Sequence, residues 1–500
     1  MPGRVTRRFF VGGAISAFAG AGLAEAPVRS LFPEPRPGWV GRAAALATAP
    51  DPADLIAHAK LGGKLGYVVA DGLTGEVLES AAPGLGLPPA STAKSLTSYY
   101  GLATLGQDFH FTTQLVATGP IEGGVLSGDL VLVGTGDPEI DTDTLAEMVK
   151  ALKAKGLRRI TGRFLTYAGA LPYVRAIDPS QPEYVGYNPA VSALNLNYNR
   201  VYFQWQKANS GWAVSMDARS DTRRPAVSMA KMSVVTREAP TYTYREAQGG
   251  ADEWTVASGA LGNGGSRWLP VRRPDLYAGE VVQVIAGDYG IKLPKPVATN
   301  HMPAGTVLVS HDSASLSAIT RKMLKYSTNL TAEVIGLSAS AKRGVSGGLD
   351  ASARAMSSWA REALGASSIR LVDHSGLSGD SRISAEDMVK LLIHARPGGV
   401  LQSHMKTITP VDVKGNALQN PGFAIHAKTG TLNFASALTG YITPDQGRPL
   451  VFSIMSADTA RRAHIPREEM ERAPGARGWS RRARWLQYQL INRWAGIYTA

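Results

Sequence analysis

Residues 111–295 differ in texture from the chain on either side, and this break constrains the fold more than any other feature. The segment consists of short β-rich runs, residues 125–134, 201–205 and 281–285 among them, separated by Gly and Asn turns. Before it, residues 65–78 alternate around Asp71-Gly72 and Thr74-Gly75, which predicts a strand, a tight turn and a returning strand. Residues 84–89 close that hairpin, and residues 90–105 then carry Leu96, Tyr99, Tyr100, Leu102 and Leu105 near helical spacing. After the break, helical patterning runs through residues 315–337, 351–364 and 384–395. Residues 423–441 and 450–455 read as strands joined by a turn at Pro444-Asp445-Gln446-Gly447, and residues 479–494 as a terminal helix. Sheet, helices, sheet and helix imply one split domain, residues 43–110 and 300–500, interrupted by a large β-rich insert at 111–299. The expected fold class is α/β in the α+β sense, an antiparallel sheet flanked by helices. No internal repeat is visible.

Composition narrows the chemistry. At about 150 residues per domain, 500 residues with 44% hydrophobic content hold about three domains and a large core. The absence of Cys excludes thiolate metal sites and thiol nucleophiles, leaving Ser, Thr, Lys and carboxylates to act. The nine His residues have no ligand-like spacing, so neither a metal nor a cofactor is expected, and His426 reads as a strand residue. A formal charge of +13 suits nucleic acid, an anionic membrane or an acidic polymer such as a cell wall.

The N-terminus chooses among these. Thr6-Arg7-Arg8-Phe9-Phe10 opens an apolar, small-residue run to Leu23 that ends in Gly22-Leu23-Ala24 and Ala24-Glu25-Ala26. A basic start, an apolar middle and small residues at the exit predict an export signal over residues 1–26, and the paired arginines resemble a bacterial twin-arginine signal. Pro27 disfavours cleavage after Ala26. No other segment is long and apolar enough to span a bilayer, so a periplasmic or otherwise extracytoplasmic protein is expected, with no nucleic-acid partner.

Ser-x-x-Lys places a hydroxyl and an amine one helical turn apart, so that the amine can take the hydroxyl proton as the oxygen attacks a carbonyl. The pattern occurs three times, at Ser91-Thr92-Ala93-Lys94, Ser228-Met229-Ala230-Lys231 and Ser403-His404-Met405-Lys406. Only Ser91 follows a hairpin and opens an apolar helix, where the helix dipole favours an anion. Ser228 falls in the β-patterned insert and Ser403 after a helical stretch, so both are expected to be accidents. A second hydroxyl and an amide stand at Ser327-Thr328-Asn329, and Lys428-Thr429-Gly430 opens a strand-like run continuing with Thr431.

Taken in order, Ser-x-x-Lys, Ser-x-Asn and Lys-Thr-Gly mark penicillin-interacting serine acyltransferases. The chain resembles the type-4 class of low-molecular-mass penicillin-binding proteins, the D-alanyl-D-alanine carboxypeptidases and endopeptidases. Supporting phrases are Leu132-Val133-Gly134-Thr135-Gly136-Asp137-Pro138, Ser192-Ala193-Leu194-Asn195-Leu196-Asn197-Tyr198-Asn199, Asn329-Leu330-Thr331-Ala332-Glu333 and Asp373-His374-Ser375-Gly376-Leu377-Ser378. About 230 residues between Lys94 and Ser327 also look like this class, whose extra domains interrupt the catalytic one there. Thr328 stands where the family often has Asp, and His374 where it often has Gly.

The resemblance implies a penicillin-binding/β-lactamase-like fold and a D,D-peptidase acting on peptidoglycan stem peptides through an acyl-enzyme, with β-lactams as inhibitors. It implies Ser91 as nucleophile, Lys94 as base, Ser327 as proton relay and Asn329 as a holder of the substrate amide. Lys428 and Thr429 would bind the terminal carboxylate, Gly430 continues their strand, and the N–H groups of Ser91 and Thr431 would form the oxyanion hole. Asp137, before Pro138, reads as a turn residue, and the resemblance implies only that it faces the amino end of the stem-peptide side chain. An inactive peptidoglycan-binding relative and a β-lactamase or esterase on the same scaffold are the competing readings. The intact motif set argues against the first, the large insert against the second. The basic, Trp-containing run at 477–493 fits weak peripheral contact with an anionic membrane, and fits better a closing helix laid on the sheet. Oligomeric state cannot be read from the sequence.

Overall fold

The structure is a computed structural model that describes residues 49–499. The export segment at 1–26 lies outside the described residues. Both ends of the described chain meet in one six-stranded antiparallel sheet. Its strands in chain order are β1 (Lys64–Asp71), β2 (Val77–Ala81), β3 (Lys406–Ile408), β4 (Phe423–Leu432), β5 (Ala435–Pro444) and β6 (Leu450–Ala457). Their spatial order is β3-β4-β5-β6-β1-β2. The pairing of β1 with β6, from Lys64 opposite Ala457 to Asp71 opposite Leu450, joins the first strand to the last. Strands β5 and β6 are nearly continuous apolar runs because both of their faces are covered.

Helices flank this sheet: α1 (Pro52–Ala59), α2 (Ala93–Leu105), α3 (Leu316–Tyr326), α4 (Asn329–Lys342), α5 (Leu349–Leu364), α6 (Ala385–Ala395) and α7 (Ala476–Tyr498). On one face Leu486, Leu490 and Trp494 of α7 pack with Leu55 of α1 against Tyr67, Phe452 and Ile454. Trp479 is fully buried and donates its indole N–H to the Leu61 carbonyl (2.7 Å), and Trp494 donates to Glu79 (2.9 Å). The apolar stripe of α7 is therefore spent on the sheet. No helix among the described residues is long and apolar enough to cross a membrane. On the other face Leu96 and Tyr100 of α2 meet Met356 and Ala360 of α5 and Met388 and Leu391 of α6.

Helical patterning over residues 315–337 predicts one element, whereas the structure has two. Ser327 adopts a left-handed conformation (φ 62°, ψ 36°) that ends α3, Thr328 is extended, and α4 begins at Asn329. Residues 423–441 likewise divide, at Asn433-Phe434, into β4 and β5.

The intervening chain forms a five-stranded sheet and three smaller three-stranded sheets around their own core. The five-stranded sheet includes Thr306–Asp312 paired with Thr112–Ala117, so it continues past residue 299. Residues 281–285, expected as strand, lie within the helix Pro274–Asp288. Tyr277, Ala278, Val281, Val282 and Ile285 are buried at helical spacing, and Pro274 with Asp275 in the first turn supplies the start signal. Tertiary packing overrode the strand preference of Val and Ile there.

Candidate active site

Ser91 lies in a single 3₁₀ turn, Ala90–Thr92, that leads into α2. The turn is tightly determined: Ala90 has a positive φ of 48°, and two glycines give it room. A Cβ on Gly376 would stand 1.9 Å from the Ala90 carbonyl oxygen, and one on Gly430 would stand 2.6 Å from that of Pro89. Strand β4 and the loop carrying Gly376 thus approach the Ser91 turn as only glycine permits.

Lys94, one turn on, is completely buried and its Nζ donates three hydrogen bonds: to Ser91 Oγ (2.9 Å), Asn329 Oδ1 (2.8 Å) and the Ser375 carbonyl (2.7 Å). Two of these partners can only accept. A neutral Lys94 keeps two N–H bonds to them and turns its lone pair to Ser91, the one partner with a proton to give. Burial lowers the Lys94 pKa to about 8, against the opposing attraction of Glu333 and Asp373. Both carboxylates favour the ammonium form of Lys94, whereas the nearby Lys428 and Lys94 repel each other.

Those two carboxylates escaped the sequence reading except as members of family-like phrases. Glu333 accepts the His374 and Ser375 amides at 2.9 Å each, and Asp373 accepts those of Gly376 (2.7 Å) and Ser378 (2.6 Å). Burial raises both, Glu333 to about 8 and Asp373 to about 6. Together they fix the loop whose Ser375 carbonyl holds Lys94. His374 is also structural: its buried ring lies 2.8 Å from Ser352 Oγ, against Gly336, where a Cβ would come within 2.2 Å of it. Burial alone drives its pKa down to about 3, so it stays neutral.

The break between α3 and α4 brings Ser327 and Asn329 to the same place. Lys428 Nζ, 2% exposed, donates to Ser327 Oγ (3.0 Å) and to the Thr429 carbonyl (2.7 Å). Burial, with repulsion from Lys94 and Lys406, holds the Lys428 ammonium well below its ordinary range. Asn329 donates its amide to the Tyr187 carbonyl (2.8 Å), so the intervening segment holds one of these side chains directly. Along β4, Lys428 and Gly430 are buried while Thr429 and Thr431 are exposed, as strand alternation requires. Strand β3 pairs only with Ile425, His426 and Ala427, so β4 has no strand neighbour on that side from Lys428 onward.

A cleft of about 940 Å³ opens over these groups, lined by Ser91, Ser327, Asn329 and Thr431, with Gln181 and Tyr187 on the far wall. The other two Ser-x-x-Lys copies lie elsewhere. Ser228 Oγ bonds to Glu280, and Ser403 Oγ donates to the Val400 carbonyl (2.9 Å); neither bonds to its lysine. Asp137 is not among the residues lining the cleft: it is 2% exposed, accepts the Glu139 amide (2.9 Å) and lies 3.9 Å from His311. Among the described residues, no group of three His or carboxylate side chains is placed to hold a metal.

A buried amine on a hydroxyl, beside an amide, a second hydroxyl and an open strand edge, defines a serine acyl-transfer centre of the penicillin-binding class. Residues 51–473 match the D-Ala-D-Ala carboxypeptidase 3 (S13) family, and the chain belongs to it, as a serine D,D-peptidase of the type-4 penicillin-binding class. It is 28% identical over 426 residues to a D-alanyl-D-alanine carboxypeptidase of Actinomadura sp. (strain R39), covering 78% of this chain and 77% of that one. It is 24% identical over 390 residues to D-alanyl-D-alanine carboxypeptidase DacB of Haemophilus influenzae, covering 73% and 79%. The fold matches the crystal structure of penicillin binding protein 4 from Haemophilus influenzae with a TM-score of 0.70 at 18% identity, over 89% of this chain and 99% of that one.

Proposed function

We propose that Ser91 is the nucleophile and Lys94 its base in a peptidase that cleaves after the penultimate D-Ala of peptidoglycan stem peptides. Neutral Lys94 takes the Ser91 hydroxyl proton as Oγ bonds to the D-Ala carbonyl carbon, and the oxyanion sits on the N–H groups of Ser91 and Thr431. Collapse breaks the peptide bond. Lys94 passes the Ser91 proton on through Ser327, which Lys428 holds in place, to the leaving amine, so that Lys94 is neutral again and an ester remains on Ser91. Water then attacks the ester carbonyl carbon and gives a proton to Lys94, which returns it to Ser91 Oγ as the ester C–O bond breaks and the shortened peptide leaves. β-Lactams enter by the same first step and stay as the acyl-enzyme. Asn329 orients the substrate amide. Thr429 and Thr431, beside the charge of Lys428, receive the terminal carboxylate, and the free β4 edge pairs with the extended peptide. The observation that carries this reading is the 2.9 Å contact of Lys94 Nζ with Ser91 Oγ, with the other two amine bonds held by acceptors.

The insert at 111–299 serves substrate docking in this reading, supported by the Tyr187 carbonyl on Asn329. The role of Ser91 is tested with two substrates, a free pentapeptide and a D-Ala-linked dimer. Wild-type enzyme releases D-Ala from the first or splits the second, and Ser91→Ala does neither; retained turnover in Ser91→Ala would refute the reading. The place of action is the periplasm or cell exterior, reached through the Arg7-Arg8 signal. Replacing both arginines by Lys should leave precursor in the cytoplasm, and unimpaired export would assign a general secretory signal instead.

A further inference from the structure

The cleft has a second charged wall that acyl transfer does not use. Arg477, Ser480 and Arg484 line it from one face of α7, at spacings of one and two helical turns, and Arg472 lines it from the preceding segment. The side chains of Arg472, Arg477 and Arg484 have no ion-pair or hydrogen-bond partner among the described residues, although they stand in the same cleft as Ser91. The acid of this wall, Glu471, is already neutralised by Arg267 at 2.6 Å.

The placement also runs against helix electrostatics. The first turn of α7 contains no acidic residue and does contain Arg477, and its N-cap, Gly475, has no side chain to cap the helix. Positive charge at a helix N-terminus is repelled by the macrodipole, which favours an anion there. Arg477 at that helix end, with Arg472 before it and Arg484 two turns along the same face, completes a site for negative charge. The same cleft includes Leu432, the last residue of β4, and Asn433 in the turn that follows. A peptide paired along the open β4 edge is therefore led towards the arginines.

We propose that Arg472, Arg477 and Arg484 bind free carboxylates carried by the peptide outside its terminal D-Ala pair, so that the enzyme selects acidic, unamidated strands. This rests on reading the Ser91 cleft as a peptide site and specifies what that site prefers. Guanidinium groups suit carboxylates through paired N–H donors. Because the groups are exposed, the preference is modest and screened by salt.

The test is binding to the full chain carrying Ser91→Ala, which separates affinity from turnover. The probes are two synthetic peptides ending in D-Ala-D-Ala, one with two free carboxylates upstream and one with carboxamides in their place. At low salt the acidic peptide should bind roughly tenfold more tightly, and the gap should close as salt is raised. Adding R472Q, R477Q and R484Q should reduce the gap to about twofold or less, while affinity for the carboxamide peptide reports that the variant is folded. R481Q, the same charge change on a face lining a different groove with His58 and Trp485, should preserve the gap. Equal binding of the two peptides, a gap that survives in the triple variant, or a loss of the gap in R481Q as large as in the triple variant, would overturn the proposal. D-Ala release by wild-type enzyme is scored separately: its absence would count against Ser91 as nucleophile, while the affinity gap still decides the arginine wall.

Discussion

Lys94 Nζ and Asn329 Oδ1 lie 2.8 Å apart although 235 residues separate them in the chain. That contact closes the long loop holding the insert, and it leaves the Lys94 lone pair one direction to point, towards Ser91. The proposed acyl transfer at Ser91 depends on this arrangement.

The pH dependence should follow Lys94. Only the neutral amine accepts the Ser91 proton, so kcat/KM should rise with pH and reach half its plateau near about 8, where Lys94 loses its proton. Glu333 favours the charged amine, so Glu333→Gln should move that midpoint to lower pH. A pH–rate profile on both proteins checks the sign; a midpoint that stays or rises in the variant contradicts it.

Gly376→Ala should damage the site through the Ser91 turn. The position has a φ of 71° and its Cβ would lie 1.9 Å from the Ala90 carbonyl oxygen, so either the loop or the turn must move. The expected cost is roughly 2 kcal/mol or more in stability, with about a hundredfold loss in acylation from misplacement of Ser91. Gly84→Ala, where nothing lies within 4 Å, should change stability by about 0.5 kcal/mol or less. Thermal unfolding and penicillin acylation rates measure both effects.

Lys428→Ala should act chiefly on recognition. It removes the donor to Ser327 Oγ and the positive charge beside Thr429, so kcat/KM for D-Ala-D-Ala peptides should fall roughly 10- to 100-fold. Most of the loss should appear in KM. Lys94→Ala should instead abolish kcat, because base and nucleophile act as one unit. Steady-state kinetics on the two variants separate these roles; a pure kcat effect in Lys428→Ala would move it from recognition to proton transfer.

Much of this site is legible in the sequence because local order carries it. Ser91 combines a hairpin before it, a helix after it and Lys94 one turn on, and that setting separates it from Ser228 and Ser403, whose hydroxyls bond to Glu280 and the Val400 carbonyl. Residues without a local pattern were invisible. Glu333 and Asp373 matter because folding buries them beside Lys94, and Tyr187 contributes only a backbone carbonyl, which any residue type supplies. The break at Ser327 was missed because α3 and α4 continue the same apolar spacing across a single left-handed residue. Residues 281–285 of the helix Pro274–Asp288 were read as strand because Val281, Val282 and Ile285 are β-branched, although Pro274 and Asp275 mark a helix start.

The most direct test of the central claim is the site of penicillin attachment. Purified protein incubated with a labelled penicillin, digested and mapped by mass spectrometry, should carry one stable adduct, on Ser91, and Ser91→Ala should carry none while unfolding at the wild-type temperature. Label on Ser228 or Ser403, or no adduct on the folded wild-type chain, would contradict the account.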